Sequence, residues 1–255
     1  DSRLREVNAA GAFNGHVPIT AINSLMLEIL GRLTGARHVI FANERSADEP
    51  TMDLGNGVTA NHQYSKSSTF EAILRDAIKA ADADAPDYFS VLRPFSELWI
   101  ARAFAGLQAP DRLFTSCNNN FRITGETPPR WCGACAKCAF TALLVAPHID
   151  RDRAMVMFGD IFPDRETLLP LYRELLGLTE TKPWDCVGTI GECRATLYRM
   201  SLRPAWQEVL VVRALLGDVL QHHSPVALDA MWREGLAESG PHFVPAEFME
   251  AARAL

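Results

Sequence analysis

Three cysteines in "WCGACAKC" (Cys132, Cys135 and Cys138) and a fourth at Cys117 impose the spacing C-x14-C-x2-C-x2-C on the middle of the chain. A two-residue gap lets two thiolates reach one ion from a tight turn, and Gly133 permits that turn. Four thiolates complete a tetrahedral zinc site and leave no position for a substrate, so such a site pins a loop and does no Lewis-acid chemistry. The same four can carry an iron–sulfur cluster, although the bacterial ferredoxin run needs a further Cys where this chain has Ala142. A zinc deaminase needs an upstream H-x-E, and no His here has Glu two residues on. Disulfides belong to small secreted domains, whereas 255 residues can bury a core without staples. Structural zinc is the expectation, with a cluster and disulfides as its rivals.

The net charge of -6 argues against a general nucleic-acid binder, whose phosphate footprint is basic. No apolar run approaches the roughly 20 residues of a membrane span, and no basic-then-apolar secretory signal opens the sequence. The expectation is a cytoplasmic protein without nucleic-acid or membrane partners. The sequence opens on Asp1-Ser2-Arg3, enters loop-like "NAAGAFNGHVP" and shows no first strand, which reads as a fragment lacking earlier elements.

Ile19, Ile22, Leu25, Met26, Ile29, Leu30 and Leu33 recur at helical spacing between Pro18 and Gly35. Arg37–Glu44 is a short, nearly all-apolar run, as in a buried parallel strand. Helix is expected again over Thr69–Ala83, a strand over Asp87–Phe95, a helix over Glu97–Gly106 and a third short strand at "RLFTSC". That rhythm predicts an α/β layer with a parallel sheet. Beyond Pro147, five stretches read as helices: Arg165–Leu176, Gly191–Leu202, Ala205–Gln221, Val226–Glu238 and Pro245–Ala254. The expected division is an α/β nucleotide-binding part, residues 1–147, holding the knuckle at 117–138, and a helical part, residues 148–255.

Between Asn43 and Ser68 lies a long polar segment, and loops of that length in compact domains are usually functional or disordered. It starts where a parallel strand ends, the side on which open α/β sheets bind ligands. Glu44, Asp48 and Glu49 suit Mg²⁺ on a phosphate; Ser65 and Lys66, leading into a helix N-terminus, suit an anion. His62 is a general acid/base candidate, and Arg93 at the second strand end fits either a phosphate or a salt bridge. Cys186 and Cys193, in "WDCVGTIGEC", match the thiol pair of cofactor-independent racemases, or are two small residues at a helix start.

The order "GHVPITAINS", "HVIFANERSADE", "RPFSELWIARAF", "TSCNNNF…WCGACAKCAF" resembles the ATP-pyrophosphatase (PP-loop) superfamily. Enzymes making 7-cyano-7-deazaguanine carry a four-cysteine zinc knuckle at the same place. "NHQYSKSSTFEA", "WCGACAKCAF" and "KPWDCVGTIGECRA" are similar, more specifically, to the MurL family of UDP-N-acetyl-α-D-muramoyl-L-alanyl-L-glutamate epimerases. The resemblance runs from Val7 to about Leu202. It implies a PP-loop, Rossmann-like layer and a UDP-MurNAc-dipeptide substrate whose terminal L-Glu becomes D-Glu in peptidoglycan synthesis. ATP would be consumed to AMP and diphosphate, with Mg²⁺ as companion and structural Zn²⁺ in the knuckle. The implied site is Asn43, Glu44, Asp48, Glu49, Ser65 and Arg93 around the nucleotide, with His62, Lys66, Cys186 and Cys193 around the reacting carbon. The superfamily's SGGxDS phosphate loop does not occur in this sequence, and the resemblance puts it upstream. Another ATP-dependent activating ligase and a non-catalytic zinc-stabilised binding domain are the other readings.

Overall fold

The structure, a computed structural model, describes residues 2–11, 18–121 and 130–254. Ser2–Ala9 forms a short helix (α1) that ends just inside the loop-like stretch starting at Asn8, and residues 12–17 lie outside the described residues. The helix marked by apolar spacing is present as α2 (Ile19–Thr34), and it stops at Gly35, whose φ of 73° suits a residue without Cβ. Its orientation is the surprise. The apolar residues that announce it, Leu25, Met26, Ile29, Leu30 and Leu33 among them, are exposed, while Thr20, Ser24, Glu28 and Gly31 face the protein. The Ser24 hydroxyl meets the Tyr88 hydroxyl at 2.9 Å, and Gly31 sits so close to Pro86 and Val39 that a Cβ would lie 3.0 and 3.2 Å from them.

Strand β1 (His38–Phe41) follows, shorter than the apolar run suggests because the chain turns at Glu44 into a 3-10 turn at Arg45–Asp48. The long polar segment is not structureless. It holds an antiparallel hairpin, β2 (Met52–Gly55) and β3 (Val58–Ala60), turned through Asn56 and Gly57, both at positive φ. A 3-10 turn at Tyr64–Lys66 then leads to α3 (Ser68–Ala81), capped by Ser67, whose hydroxyl accepts from the Phe70 amide.

Strand β4 (Asp87–Ser90) lies parallel to β1, Val39 opposite Tyr88 and Phe41 opposite Ser90. It ends well before Phe95, because Ser90–Phe95 closes into turns. Helix α4 (Glu97–Gly106) starts at the cap Ser96. The expected strand at "RLFTSC" is absent: residues 110–117 are turn and irregular chain. Helix α5 (Ala136–Val145) carries apolar residues on every side and is buried almost throughout, which hides it from a search for periodicity.

The remainder is helical: α6 (Arg151–Phe158), α7 (Leu169–Leu175), α8 (Ile190–Ser201), α9 (Leu210–His222), α10 (Pro225–Leu236) and α11 (Ala246–Arg253). Helix α9 begins later than its apolar pattern, because Arg203–Val209 is spent in turns that bury Trp206. One core cluster joins α4, α5, α7, α8, α9 and α10, with the cysteines Cys117 and Cys138 inside it. The parallel strand pair has its own small core of Val39, Leu74 and Tyr88. Among the described residues no helix is long and apolar enough to cross a membrane.

Candidate functional site

The four cysteines gather as their spacing predicts. Their sulfurs all lie within 4.8 Å of one another, with contacts of 3.5 Å (Cys135–Cys138), 3.8 Å (Cys132–Cys138) and 4.0 Å (Cys117–Cys135). A tetrahedral ion holding thiolates at about 2.3 Å sets them roughly 3.8 Å apart, so the donor set fits one zinc-sized ion. An iron–sulfur cluster shares its thiolates among several irons and needs more room. The Asn119 side-chain amide donates to the Cys132 sulfur at 3.1 Å and the Cys132 amide to the Cys117 sulfur at 3.3 Å, outer contacts that orient ligands. Gly133 turns the loop at φ 62°, and the Arg165 guanidinium closes over it onto its carbonyl.

A second constellation lies beside the knuckle. Lys66 Nζ donates to Cys186 Sγ at 3.3 Å, so two expected catalytic residues 120 positions apart come together, both half-buried. Each side is braced. The Lys66 amide donates to the Gln63 carbonyl, while Asn61 caps that turn and donates to the Ala47 carbonyl. On the other side, Asn118 of the knuckle loop donates to the Asp185 carboxylate next to Cys186. Gly188 lets this segment pack against Phe140, since a Cβ there would lie 2.9 Å from the ring.

Arg93 is buried and lies at the centre of this bracing. Its Nε donates to Glu71, Nη1 to the Glu44 carbonyl and Nη2 to the Lys66 carbonyl, at 2.9, 2.8 and 2.5 Å. It therefore ties α3, the end of β1 and the Lys66 turn together, and does not face a phosphate. Asn43 is also buried, its backbone exchanging hydrogen bonds with the Ser90 hydroxyl. Asp48 accepts from the Ser68 amide in the first turn of α3, while Glu49 pairs with the buried Lys182 at 2.6 Å. Glu44, Asp48 and Glu49 thus do not converge on one ion. Among the described residues only the cysteines form a ligand group of three or more. Ser65 is half-buried in the Lys66 turn. His62 hydrogen-bonds Thr51 through Nδ1 and sets its ring edge-on to Trp184, 5.8 Å away. Cys193 is in the core, only 1% exposed, and burial first, then the neighbouring Glu192, pushes its thiol well up. A racemase-like pair of accessible thiols is therefore not what the fold presents.

Two carboxyls that the sequence does not single out organise the surroundings. Glu192 is buried and accepts from the Ser46 hydroxyl, the Leu98 amide and the Thr189 amide, while the Thr189 hydroxyl caps α8 in return. Glu97 heads α4, its amide donating to the Ser46 hydroxyl. It lines a cleft between α4 and α5 with Lys137, Ser116, Phe104, Phe114 and Phe140. Burial, above all, holds its carboxyl up to about 7; Glu44 and Glu192 add to this, against the pull of Lys137 and Lys66. No motif signals Glu97, because an acidic first-turn residue is ordinary helix chemistry.

The MurL N-terminal domain family matches residues 1–91 and the MurL C-terminal domain family residues 113–229, together well over half of the chain. This chain belongs to the MurL family. It is 40% identical over 253 residues to the UDP-N-acetyl-alpha-D-muramoyl-L-alanyl-L-glutamate epimerase of a Micromonospora species, and 40% over 257 residues to that of Salinispora tropica. The enzyme of the same name from Xanthomonas oryzae pv. oryzae is 39% identical over 252 residues. These alignments take in 98%, 100% and 98% of the chain, which spans 55% of the length of each relative. No solved structure matches it. Both members of the Lys66–Cys186 pair lie within the MurL-matched ranges, one in each.

Proposed function

We propose that this chain is part of an ATP-dependent epimerase that converts the terminal L-Glu of UDP-MurNAc-L-Ala-L-Glu to D-Glu in the cytoplasm, releasing AMP and diphosphate, for peptidoglycan synthesis. The observation that carries the reading is the Lys66–Cys186 contact, a thiol with an amine held 3.3 Å away, in a chain about 40% identical to epimerases over 98–100% of its length.

The α-proton beside a carboxylate is hardly acidic, since its loss creates a dianion. Adenylation removes that charge: the carboxylate oxygen attacks the α-phosphorus of ATP and diphosphate leaves. The acyl adenylate loses its α-proton to an enolate, a proton returns on the other face, and water releases AMP and the inverted residue. In this reading Lys66 stabilises the enolate oxygen and Cys186 moves the proton. Cys193 is left out of the reaction because it is buried, and His62 because it is turned to Thr51 and Trp184.

A PP-loop-like layer is supported by the parallel β1–β4 pair and by the site segment leaving the carboxyl end of β1. Of the segment's acidic residues, Glu44 is the one left for Mg²⁺ on the nucleotide, an ion that needs only one or two carboxylates. The cysteine cluster, as a structural zinc site, holds the Asp185–Cys186 segment through Asn118.

The test is incubation of the full-length protein with ATP, Mg²⁺ and UDP-MurNAc-L-Ala-L-Glu, followed by chiral analysis of glutamate and assay of AMP. D-Glu and AMP together are the expected result. AMP with L-Glu coupled to an amine would mean a ligase, and neither product would sink the reading.

A further inference from the structure

Helix α2 turns its apolar side away from the protein. Ile19, Ile22, Met26, Ile29, Leu30 and Leu33 recur three and four positions apart, so they form one stripe along the helix. Every one of them is exposed, Leu33 to 78%. The stripe lies opposite Thr20, Ser24, Glu28 and Gly31, which face the rest of the fold. A soluble monomer rarely leaves so long an apolar stripe in water; such a stripe marks a surface that something covers.

The strand that follows is open as well. Among the described residues β1 pairs with β4 and with no other strand. Parallel pairs normally lie inside larger, covered sheets, and the β1 sequence "HVIF" has none of the lysines, prolines or bulges that protect a natural edge. Ile40 is 43% exposed although Phe89, its register partner on β4, is fully buried. The Arg37 and Phe41 carbonyls accept from the β4 side, so alternation along the strand turns the Ile40 amide to the open edge.

The topology indicates what belongs there. Helices α2 and α3 both pack on the sheet face that carries Val39 and Tyr88, α2 through Ser24 and Gly31 and α3 through Leu74. Helix α3 is the crossover that carries the chain from β1 to its parallel neighbour β4. A right-handed crossover through α2 onto β1, on that same face, starts from a parallel strand on the other side of β1. The 253 matched residues are 55% of the Micromonospora relative, which leaves about 200 of its residues, enough for a further α/β layer, outside the match.

We propose that the open edge of β1 and the outward stripe of α2 are an internal interface of the full-length protein. The part that this chain does not span adds a strand parallel to β1 and lays an apolar helix face along α2. The inference needs the family membership but not the epimerase chemistry. It has a consequence for the site. A parallel strand beside β1 ends next to Asn43 and Glu44, the side on which such sheets bind ligands. Arg93 ties the Glu44 carbonyl to the Lys66 carbonyl, so the loop leaving the added strand meets the Lys66 turn. The surroundings of Lys66 and Cys186 are then shared between the two parts of the protein.

The test is amide hydrogen exchange, read by mass spectrometry, on this 255-residue chain and on the full-length protein, with sedimentation to give the mass of each. The β1 peptide holding Ile40 should exchange quickly in the chain and about 100-fold or more slowly in the full-length protein. In the full-length protein, Met26→Glu with Ile29→Glu should bring that peptide back to within about threefold of the chain's rate, while peptides from α5 and α8 stay as in wild type. Equal exchange of β1 in the chain and in the full-length protein would overturn the proposal. So would protection of β1 that appears in the chain itself as it dimerises, which would make this face a contact between copies. A double variant that keeps β1 protected would remove α2 from the interface and overturn the proposal as stated. The wild-type comparison needs no variant, so it decides the matter even if the double variant fails to fold.

Discussion

The cysteine knuckle and the Lys66–Cys186 pair lie side by side but are specified in opposite ways. Three of the knuckle's cysteines fall within seven residues, so its geometry is local and a tight turn suffices to build it. The pair joins residues 120 positions apart, and neither partner would be in place without Arg93, Asn61 and Asn118. A site written in spacing survives as a motif; a site assembled by packing exists only in the folded chain. The first should fail globally when damaged, the second locally.

The largest effect is expected at the knuckle. Cys138→Ser, or stripping metal with a strong chelator, should abolish cooperative unfolding of the helical part. Structural zinc contributes on the order of 10 kcal/mol, comparable to a domain's whole stability. Melting curves with metal analysis check this, and an unchanged melt on metal removal would break the contrast. Arg93→Met comes next. It strands the buried Glu71 carboxylate and should cost about 3–5 kcal/mol, whereas Glu71→Met with Arg93→Met should recover much of that loss, as denaturant titration would show.

Lys66→Met and Cys186→Ser are expected to move stability by no more than about 1 kcal/mol, since both side chains are half-buried, while lowering D-Glu formation about 100-fold. The double variant should be little worse than either alone if the two act as a unit. If Lys66→Met unfolds the chain as Cys138→Ser does, the pair is structural after all. The smallest effect belongs to α2. Met26→Gln with Ile29→Gln should change unfolding free energy by about 0.5 kcal/mol or less in denaturant titration, because both side chains are already exposed.

What could be read from sequence follows the same division. The knuckle was legible because thiolate spacing is nearly a geometry in itself. Lys66 and Cys186 could be named as candidates, but their meeting depends on contacts that no periodicity records. Helix α2 was legible as a helix and illegible as an orientation: its strong apolar stripe suggests the core side, yet Gly31 allows the close approach to β1 that turns the polar stripe inward. The hairpin at residues 52–60 escaped because its strands are short and polar, although "GNG" is a turn signal. Arg93 read equally as ligand-binding or paired, and only its burial decides. Glu97 carried no signal, because its chemistry comes from neighbours brought by α5, α8 and the segment after β1.

The Glu192 carboxylate carries one further consequence, for anyone who would divide this protein. Its three donors come from both sides of the gap between the two MurL-matched ranges: Ser46 from the first, Thr189 from the second and Leu98 from the stretch between. Expressed apart, the second piece would carry a carboxylate shaped for donors it no longer has, and the first a Ser46 hydroxyl deprived of its acceptor. The family boundary is thus a poor place to cut. Modular as the two halves look in comparison, they should inherit substitutions at positions 46 and 192 jointly, and chimeras swapped at residues 92–112 should tolerate foreign partners only when that bond is kept.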